Sequence, residues 1–198
     1  LHANVNPFSV RLGDFGFNNL SFNVPENTLS YTNVLNTFDA LGVNVEVTAG
    51  LDIVNNEIFW IFQSINPATG VAPMDAMAGF LAINDSIGSG QGFVTYSVLP
   101  SENISTRDSI TAEASIVFDI NEPIITNIWS NLVDAVAPTS QLNPLPGEIE
   151  DVSVQITWTG SDDPDGSGLR SYDLYAIVNE QETIMLAENT TSNSYDFT

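Results

Sequence analysis

The chain has 198 residues, and its 3 Lys+Arg against 25 Asp+Glu give a formal net charge of −22. It contains no lysine and no cysteine, and His2 is its only histidine. Nucleic-acid binding needs clustered basic residues to replace phosphate counterions, so this composition excludes it. Cysteine nucleophiles, disulfides, Schiff bases and thiolate metal sites are excluded too, and a Ser-His-Asp triad or zinc centre would depend on His2 alone. We therefore predict that the chain is not an enzyme.

The acidity does not indicate disorder, because 43% of the residues are hydrophobic and the mean hydropathy is +0.07. We expect the carboxylates on a solvated surface, where they repel anionic polymers and attract divalent cations. Such a surface suits a secreted or cell-surface protein in a saline, marine or calcium-rich exterior, which is the location we predict. No run approaches the ~18 apolar residues that a membrane span needs, so we predict no membrane insertion.

Hydrophobic residues recur mainly at every second position, which is typical of β-strands. A hairpin is predicted from Val43 to Phe62 with Asn55-Asn56 at its turn, and its second strand, apolar on both faces, is predicted to be central. No segment gives a convincing amphipathic helix, and residues 34–40 are predicted to form at most one helical turn. Further strands are predicted at residues 15–24, 92–99, 109–120, 152–158, 172–178, 183–187 and 194–197. This pattern predicts an all-β fold of β-sandwich architecture.

A domain boundary is predicted near residue 137, where a proline-rich stretch begins at Pro138 and runs through Pro144 and Pro146. Proline cannot donate to a central ladder, and the alternating pattern restarts after Gly147. We predict two tandem β-sandwich domains, 1–136 and 137–198. The second is incomplete, because a sandwich of this kind needs about seven strands over roughly 100 residues. We expect either that the chain is cut from a longer polypeptide or that a neighbouring chain supplies the missing strand.

Two groups of motifs resemble known bacterial modules. The run Ala114-Ser115-Ile116-Val117-Phe118-Asp119-Ile120-Asn121-Glu122-Pro123-Ile124 is similar to a sandwich domain that recurs in large secreted bacterial surface proteins. The runs Trp158-Thr159-Gly160-Ser161-Asp162-Asp163 and Tyr172-Asp173-Leu174-Tyr175 resemble bacterial fibronectin type III or Ig-like modules. The resemblance implies a multidomain extracellular protein in which these units are spacers or adhesive modules, and it implies no known activity.

The loop 161–168 is the sharpest candidate site. Asp162, Asp163 and Asp165 lie on a short Gly/Pro loop, where their oxygens are of the kind that Ca²⁺ prefers. The spacing is not that of an EF-hand, and no glutamate follows at the twelfth position. The alternative is a solvated turn in which Asp and Ser bond their own backbone. The loop therefore predicts either a calcium site or a polar turn.

A second candidate calcium site lies at the end of the strand predicted at 109–120. It comprises Asp119, Asn121 and Glu122, with Asp134 near the predicted domain junction. Oxygen ligands between β-modules can bind a cation that stiffens a tandem array. The alternative is a turn in which Asn121 bonds its own backbone.

Three functions are compatible with these observations. The first is a non-catalytic structural or adhesive segment of an extracellular bacterial protein, whose partners are neighbouring domains of the same or adjacent chains. The second is a carbohydrate-binding accessory module of a secreted polysaccharide-degrading enzyme, which would bind glycans, among them surface glycans, through Trp60 or Trp129. Trp60 and Trp158, however, lie on the apolar phase of their strands and are expected in the core. The third is a polymer subunit that is completed by a strand from its neighbour.

Overall fold

The computed structural model describes residues 1–75, 77–86, 88–145, 147–148, 152–179 and 181–198. The fold is all β and sandwich-like, as the alternating pattern predicted, and the predicted breaker Pro146 lies outside the described residues. The strands are β1 Arg11–Phe17, β2 Leu20–Phe22, β3 Tyr31–Leu35, β4 Asn44–Asp52, β5 Glu57–Ile65, β6 Gly92–Ser97, β7 Ser109–Ala112, β8 Ser115–Ile116, β9 Ile124–Ile125, β10 Trp129–Leu132, β11 Thr139–Leu142, β12 Val154–Ser161, β13 Tyr172–Val178, β14 Glu182–Thr190 and β15 Ser194–Phe197. A 3₁₀ turn at Pro7–Ser9 and a single helical turn, α1 Phe38–Leu41, complete the elements.

The chain separates into two compact units. Unit 1 comprises Leu1–Glu102 and Ile110–Trp129, and unit 2 comprises Asn103–Ser109 and Ser130–Thr198. The segment 103–109 belongs to unit 2 because it pairs with the segment that follows β10: the Arg107 N–H donates to Val133 O at 2.9 Å, and the Val133 N–H donates to Asp108 O at 2.8 Å. The boundary predicted at 136/137 therefore lies within unit 2.

The core of unit 1 lies between two three-stranded antiparallel sheets, ordered β2-β1-β6 and β3-β4-β5. Phe15 and Phe17 of β1 meet Leu35 of β3 and Val45 and Val47 of β4 in one buried cluster. The inner face of β4 is formed by its alternate residues, as the period-two pattern predicted. Partly buried side chains surround this cluster: Leu20, Phe22, Val24, Tyr31, Leu41, Phe62, Phe80 and Leu81.

The β4–β5 hairpin confirms the predicted turn but not the predicted position of its second strand. Asn56 adopts a positive φ of 55°, and Asp52 accepts the N–H of Asn55 at 3.0 Å. The prediction of a central second strand was wrong, because β4 is central and, within the described part of the chain, β5 pairs only with β4. The second apolar face of β5 has a local cause: the Phe59 ring lies over Gly50, 3.5 Å from where a Cβ would stand.

Two other predicted elements differ in extent. The strand predicted at 109–120 was too long, since β7 and β8 end at Ala112 and Ile116. Residues 117–123 instead form the loop of a short hairpin in which Ser115 pairs with Ile125 and Ile116 with Ile124. The first two residues of the predicted helical turn, Val34 and Leu35, belong to β3, and the turn itself is α1.

Unit 2 holds a three-stranded sheet ordered β11-β12-β15 and a two-stranded sheet of β13 and β14, both antiparallel. Trp158 of β12 and Leu174 of β13 are its buried hydrophobic side chains within the described residues. The Trp158 ring packs edge-on against Tyr172, with centroids 5.8 Å apart. This ring contact links the β11-β12-β15 sheet to the β13–β14 sheet.

Candidate functional site

The acidic loop joins the end of β12 to the start of β13, and two of its carboxylates shape the loop. Asp162 Oδ1 accepts the N–H of Asp163 at 2.9 Å. Asp163 Oδ1 accepts the N–H of Asp165 at 3.1 Å, and its backbone carbonyl accepts the N–H of Gly166 at 2.9 Å. These bonds are those of the polar-turn alternative, in which short acidic side chains bind nearby backbone.

The third carboxylate of the loop faces a cation of the same chain. Asp165 Oδ1 lies 2.5 Å from the Arg107 guanidinium, and both side chains are largely exposed. An exposed pair of this kind contributes at most about 1 kcal/mol and weakens with salt. Arg107 has a positive φ of 73°, so its position is set by backbone geometry as well as by charge. No sequence signal connects Arg107 with Asp165, because the two residues are far apart along the chain.

Asp134 joins the same loop from the other side. Its Oδ2 accepts the Ser167 N–H and the Ser167 hydroxyl, each at 2.7 Å. These two bonds, followed by the N–H of Val136, lower the pKa of Asp134 from its ordinary value. A Cβ at Gly166 would stand 2.9 Å from Asp134 Oδ2, so glycine permits the close approach. The sequence predicted Asp134 as a companion of Asp119, whereas its partner in the structure is Ser167.

Arg107, Asp134, Asp165 and Ser167 together form what we call the acidic clamp. Its first two members lie on the paired segments 103–109 and 130–136, and its last two lie on the acidic loop. The paired segments are further held by Ala135, whose N–H donates to Thr106 Oγ1 at 3.1 Å. The clamp therefore fixes the acidic loop to the two segments through which the chain enters unit 2.

Calcium binding at this loop stays a prediction. Across the described residues, no three His, Asp or Glu side chains group closely enough to hold a metal ion. Carboxylate oxygens of Asp162 and Asp163 accept hydrogen bonds from backbone N–H groups, and Asp165 forms an ion pair with Arg107. A calcium ion would therefore have to displace the guanidinium or use the remaining oxygens of Asp162 and Asp163.

The second candidate group lies in the loop of the β8–β9 hairpin. Asp119 adopts a positive φ of 53°. Asn121 donates both its backbone N–H, at 3.0 Å, and its side-chain amide, at 2.8 Å, to the carbonyl of Phe118. Glu122 is exposed. The amide of Asn121 thus acts in the turn, which is the alternative that the sequence left open, and calcium at this loop also stays a prediction.

The three tryptophans have different environments. Trp158 is buried, and its Nε1–H has no hydrogen-bond acceptor among the described residues. Trp60 is half-buried and lies against Tyr96, with ring centroids 6.0 Å apart. Trp129 is 71% exposed. Core positions were predicted for Trp60 and Trp158. The prediction is confirmed for the buried Trp158, whereas Trp60 is only half-buried.

Unit 1 carries two shallow grooves. A groove of about 420 Å³ runs beside Phe8, Leu29 and Phe59, and none of its lining residues is titratable. A second groove, of about 430 Å³, contains Asp14 and Glu26 among its lining residues. Asp14 has a structural partner, because its Oδ1 accepts the N–H of Val24 at 2.9 Å. The first groove is thus largely apolar, whereas the second is mixed and also includes Arg11.

The fold and these sites describe a sandwich-like β protein with a polar clamp at the entrance to its second unit. The chain belongs to the family described as Domain of unknown function (DUF7619), whose model matches residues 9–132. The match covers most of unit 1 and the segment 103–109 that carries Arg107, and it ends before Asp134 and the acidic loop. No curated protein and no solved structure matched the chain. No helix of the described residues is long and apolar enough to cross a membrane.

Proposed function

We propose that the chain is a non-catalytic structural or adhesive segment of a large extracellular bacterial surface protein. The observation that carries this proposal is the arrangement of two all-β units in one chain, of which the first is matched by the family model. The net charge of −22 supports a location in a saline exterior, where salt screens repulsion between acidic surfaces. The resemblance of the run at 114–124 to repeat domains of secreted bacterial proteins supports it as well.

The acidic clamp adds a mechanical argument to this proposal. A segment that transmits force needs its connecting chain held to the module that follows. Asp134 and Arg107 provide such contacts through Ser167 and Asp165. These bonds use groups of the chain itself, so the clamp can hold the acidic loop to these segments without a bound cation.

The test uses the intact polypeptide on the cells that display it. One strain carries a deletion of residues 1–198, and a second carries two unrelated β-sandwich domains of equal length in their place. We expect the deletion to reduce attachment of the cells to surfaces. Retained attachment in the replacement strain identifies a spacer, whereas lost attachment identifies an adhesive surface. Unchanged attachment in the deletion strain would overturn the proposal.

Glycan binding is the second candidate function, and the exposure of Trp129 favours it. An exposed indole can stack on a sugar ring, whereas the buried Trp158 cannot. A glycan array probed with the wild-type chain, with Trp129→Ala and with Trp60→Ala as the half-buried control tests it. Glycan binding that disappears only in Trp129→Ala supports this function, and binding that survives the substitution excludes this residue as the platform.

A further inference from the structure

The first groove of unit 1 lies on the outer face of the sheet ordered β3-β4-β5. Alternate residues of β4 form the core, so Thr48 and Gly50 lie on the opposite face. The register places Thr32 beside Thr48 and Phe59 beside Gly50, and all four residues line the groove. Its volume of about 420 Å³ falls within the range of about 300–1,000 Å³ that is usual for small-molecule sites. All but one of its lining residues lie within the family match at 9–132.

The ring of Phe59 is held against this sheet. It lies over Gly50, where a Cβ would stand 3.5 Å from the ring. Phe59 is half-buried, and Phe8, which is 70% exposed, lines the same groove. One face of the Phe59 ring therefore packs on β4, and the other face is turned away from it. The face of an aromatic ring carries partial negative charge, which attracts the polarised C–H bonds of a ligand.

Three hydroxyl groups line the groove, on Ser30, Thr32 and Thr48. Among the described residues, none of the three hydroxyls has a hydrogen-bond partner. By contrast, the buried hydroxyl of Thr37, close to the end of β3, donates to Val43 O at 2.7 Å. The hydroxyls of the groove are therefore available to exchange hydrogen bonds with a ligand.

The chemistry of the lining selects one class of ligand. None of the described residues that line the groove is titratable, so it offers no carboxylate to a cation. An acidic ligand is repelled by a chain of net charge −22. A purely apolar ligand would cover the three hydroxyls without bonding them, which costs free energy. A neutral sugar unit matches the lining, because it presents an apolar C–H face to the ring and hydroxyls to the polar side chains.

We propose that this groove binds one neutral sugar unit of a polysaccharide, with Phe59 as the stacking platform and the three hydroxyls as hydrogen-bonding partners. The groove is shallow, which suits a unit within a longer polymer. Trp129 is not among its lining residues, so this site is distinct from the glycan platform considered above. The proposal goes beyond the proposed function, because a spacer needs no ligand.

Affinity electrophoresis of the purified full chain tests the proposal. The chain, at a net charge of −22, migrates rapidly in a native gel, and a polysaccharide that binds it slows its migration. The neutral probes are galactomannan, laminarin and hydroxyethylcellulose, and the acidic probe is alginate. We expect retardation by at least one neutral polymer and none by alginate. Amide NMR shifts with an oligosaccharide of the retarding polymer should centre on residues 29–32, 48–53 and 59.

A substitution of the ring tests the stacking platform. Phe59→Ala should weaken binding at least about tenfold, equivalent to about 1.4 kcal/mol. The matched control is Phe93→Ala, because Phe93 of β6 lies over Gly16 of β1 in the other sheet of unit 1. This control removes a ring of the same kind outside the groove and should leave binding unchanged.

A second variant tests the hydroxyls and leaves the ring in place. Thr32→Val combined with Thr48→Val removes two hydroxyls and retains β-branched side chains, which suit strands. It should weaken binding about three- to tenfold, the loss expected for about one net hydrogen bond. The matched control Thr183→Val removes an exposed hydroxyl from β14 and should leave binding unchanged. Circular dichroism verifies that every variant is folded.

Three results would overturn the proposal: no retardation by any of the neutral polymers, unchanged binding in Phe59→Ala, or amide shifts that lie outside the groove. Unchanged or stronger binding in the double threonine variant would also overturn it, because an apolar occupant would then fit the groove better than a sugar. These measurements use the purified chain, whereas the attachment assay uses whole cells. Failure of this proposal is therefore distinguishable from failure of the proposed function.

Discussion

The two units differ in how completely each buries a hydrophobic core. Unit 1 encloses Phe15, Val45 and Val47 completely between two three-stranded sheets. Unit 2 opposes a three-stranded sheet with a two-stranded one, and within the described residues only Trp158 and Leu174 are its buried hydrophobics. Hydrophobic stabilisation scales with the apolar area removed from water. The comparison therefore indicates that, within the described residues, unit 1 has the larger hydrophobic core and that polar contacts contribute a larger share in unit 2.

The largest expected effect is in the core of unit 1. Phe15→Ala should lower the free energy of unfolding of unit 1 by about 3–5 kcal/mol, because a fully buried ring leaves a cavity. The matched control Phe8→Ala removes a ring that is 70% exposed and should change it by less than about 0.5 kcal/mol. Urea denaturation measures both. Equal losses in the two variants would contradict a core centred on Phe15.

The corresponding substitution in unit 2 should cost less. Leu174→Ala should lower the free energy of unfolding of unit 2 by about 2–3 kcal/mol, which is at the low end for a buried leucine. The reason is that β13 pairs with only one strand within the described residues, so neighbouring side chains can relax into the cavity. Ile177→Ala, on the exposed face of the same strand, should have almost no effect. The measurement is urea denaturation followed by tryptophan emission in chains that also carry Trp60→Phe and Trp129→Phe, so that Trp158 is the sole tryptophan. A loss as large as that of Phe15→Ala would show that unit 2 is as well packed as unit 1.

Alternation along the chain was sufficient to predict the fold class and most long strands. β4, β6, β12 and β13 appear where apolar and polar residues alternate, and the turn at Asn56 follows from the ability of asparagine to adopt positive φ. The prediction failed where tertiary context decides. β5 is an edge strand in the order β3-β4-β5 although both its faces are apolar, and its second apolar face is explained by Phe59, whose ring covers Gly50 of β4.

The clamp was only half predictable. The sequence singled out Asp162, Asp163 and Asp165 because carboxylates cluster visibly on a Gly/Pro loop. The long-range contacts of the loop could not be found in this way: Arg107, which pairs with Asp165, and Asp134, which accepts from Ser167, are distant from it in sequence and only the fold brings them together. Alternation likewise gives no sign that the Trp158 N–H has no acceptor among the described residues.

A calcium titration separates the metal-site prediction from the clamp. We expect that Arg107→Gln, which frees Asp165, gains more Tm on addition of calcium than the wild-type chain does, because a ligand that binds only the folded state stabilises it. Arg170→Gln removes the same charge from a residue outside the clamp and serves as the control. Calorimetry in calcium and in EGTA at fixed ionic strength measures the shift. An unchanged Tm in all three proteins removes the calcium site.

The smallest expected effect is a pH dependence of unit 2. Because its bonds to Ser167 lower the folded-state pKa of Asp134, the carboxylate stabilises the folded state above its unfolded pKa of about 4. This stability is lost as the pH falls through the lowered folded-state pKa. Asp134→Asn should flatten the acid limb for unit 2. Asp52→Asn, whose carboxyl has a pKa lowered mainly by Asn55, should do so only for unit 1. Acid titration followed by circular dichroism distinguishes them.

Amide hydrogen exchange along β4 and β13 of the isolated chain tests the contrast between the units most directly. β4 is bonded to strands on both sides, and β13 on one side only within the described residues. We predict slow exchange at successive amides of β4. In Tyr175–Val178 we predict alternation, with every second amide exchanging rapidly. Uniformly slow exchange throughout β13 would contradict this difference between the two units.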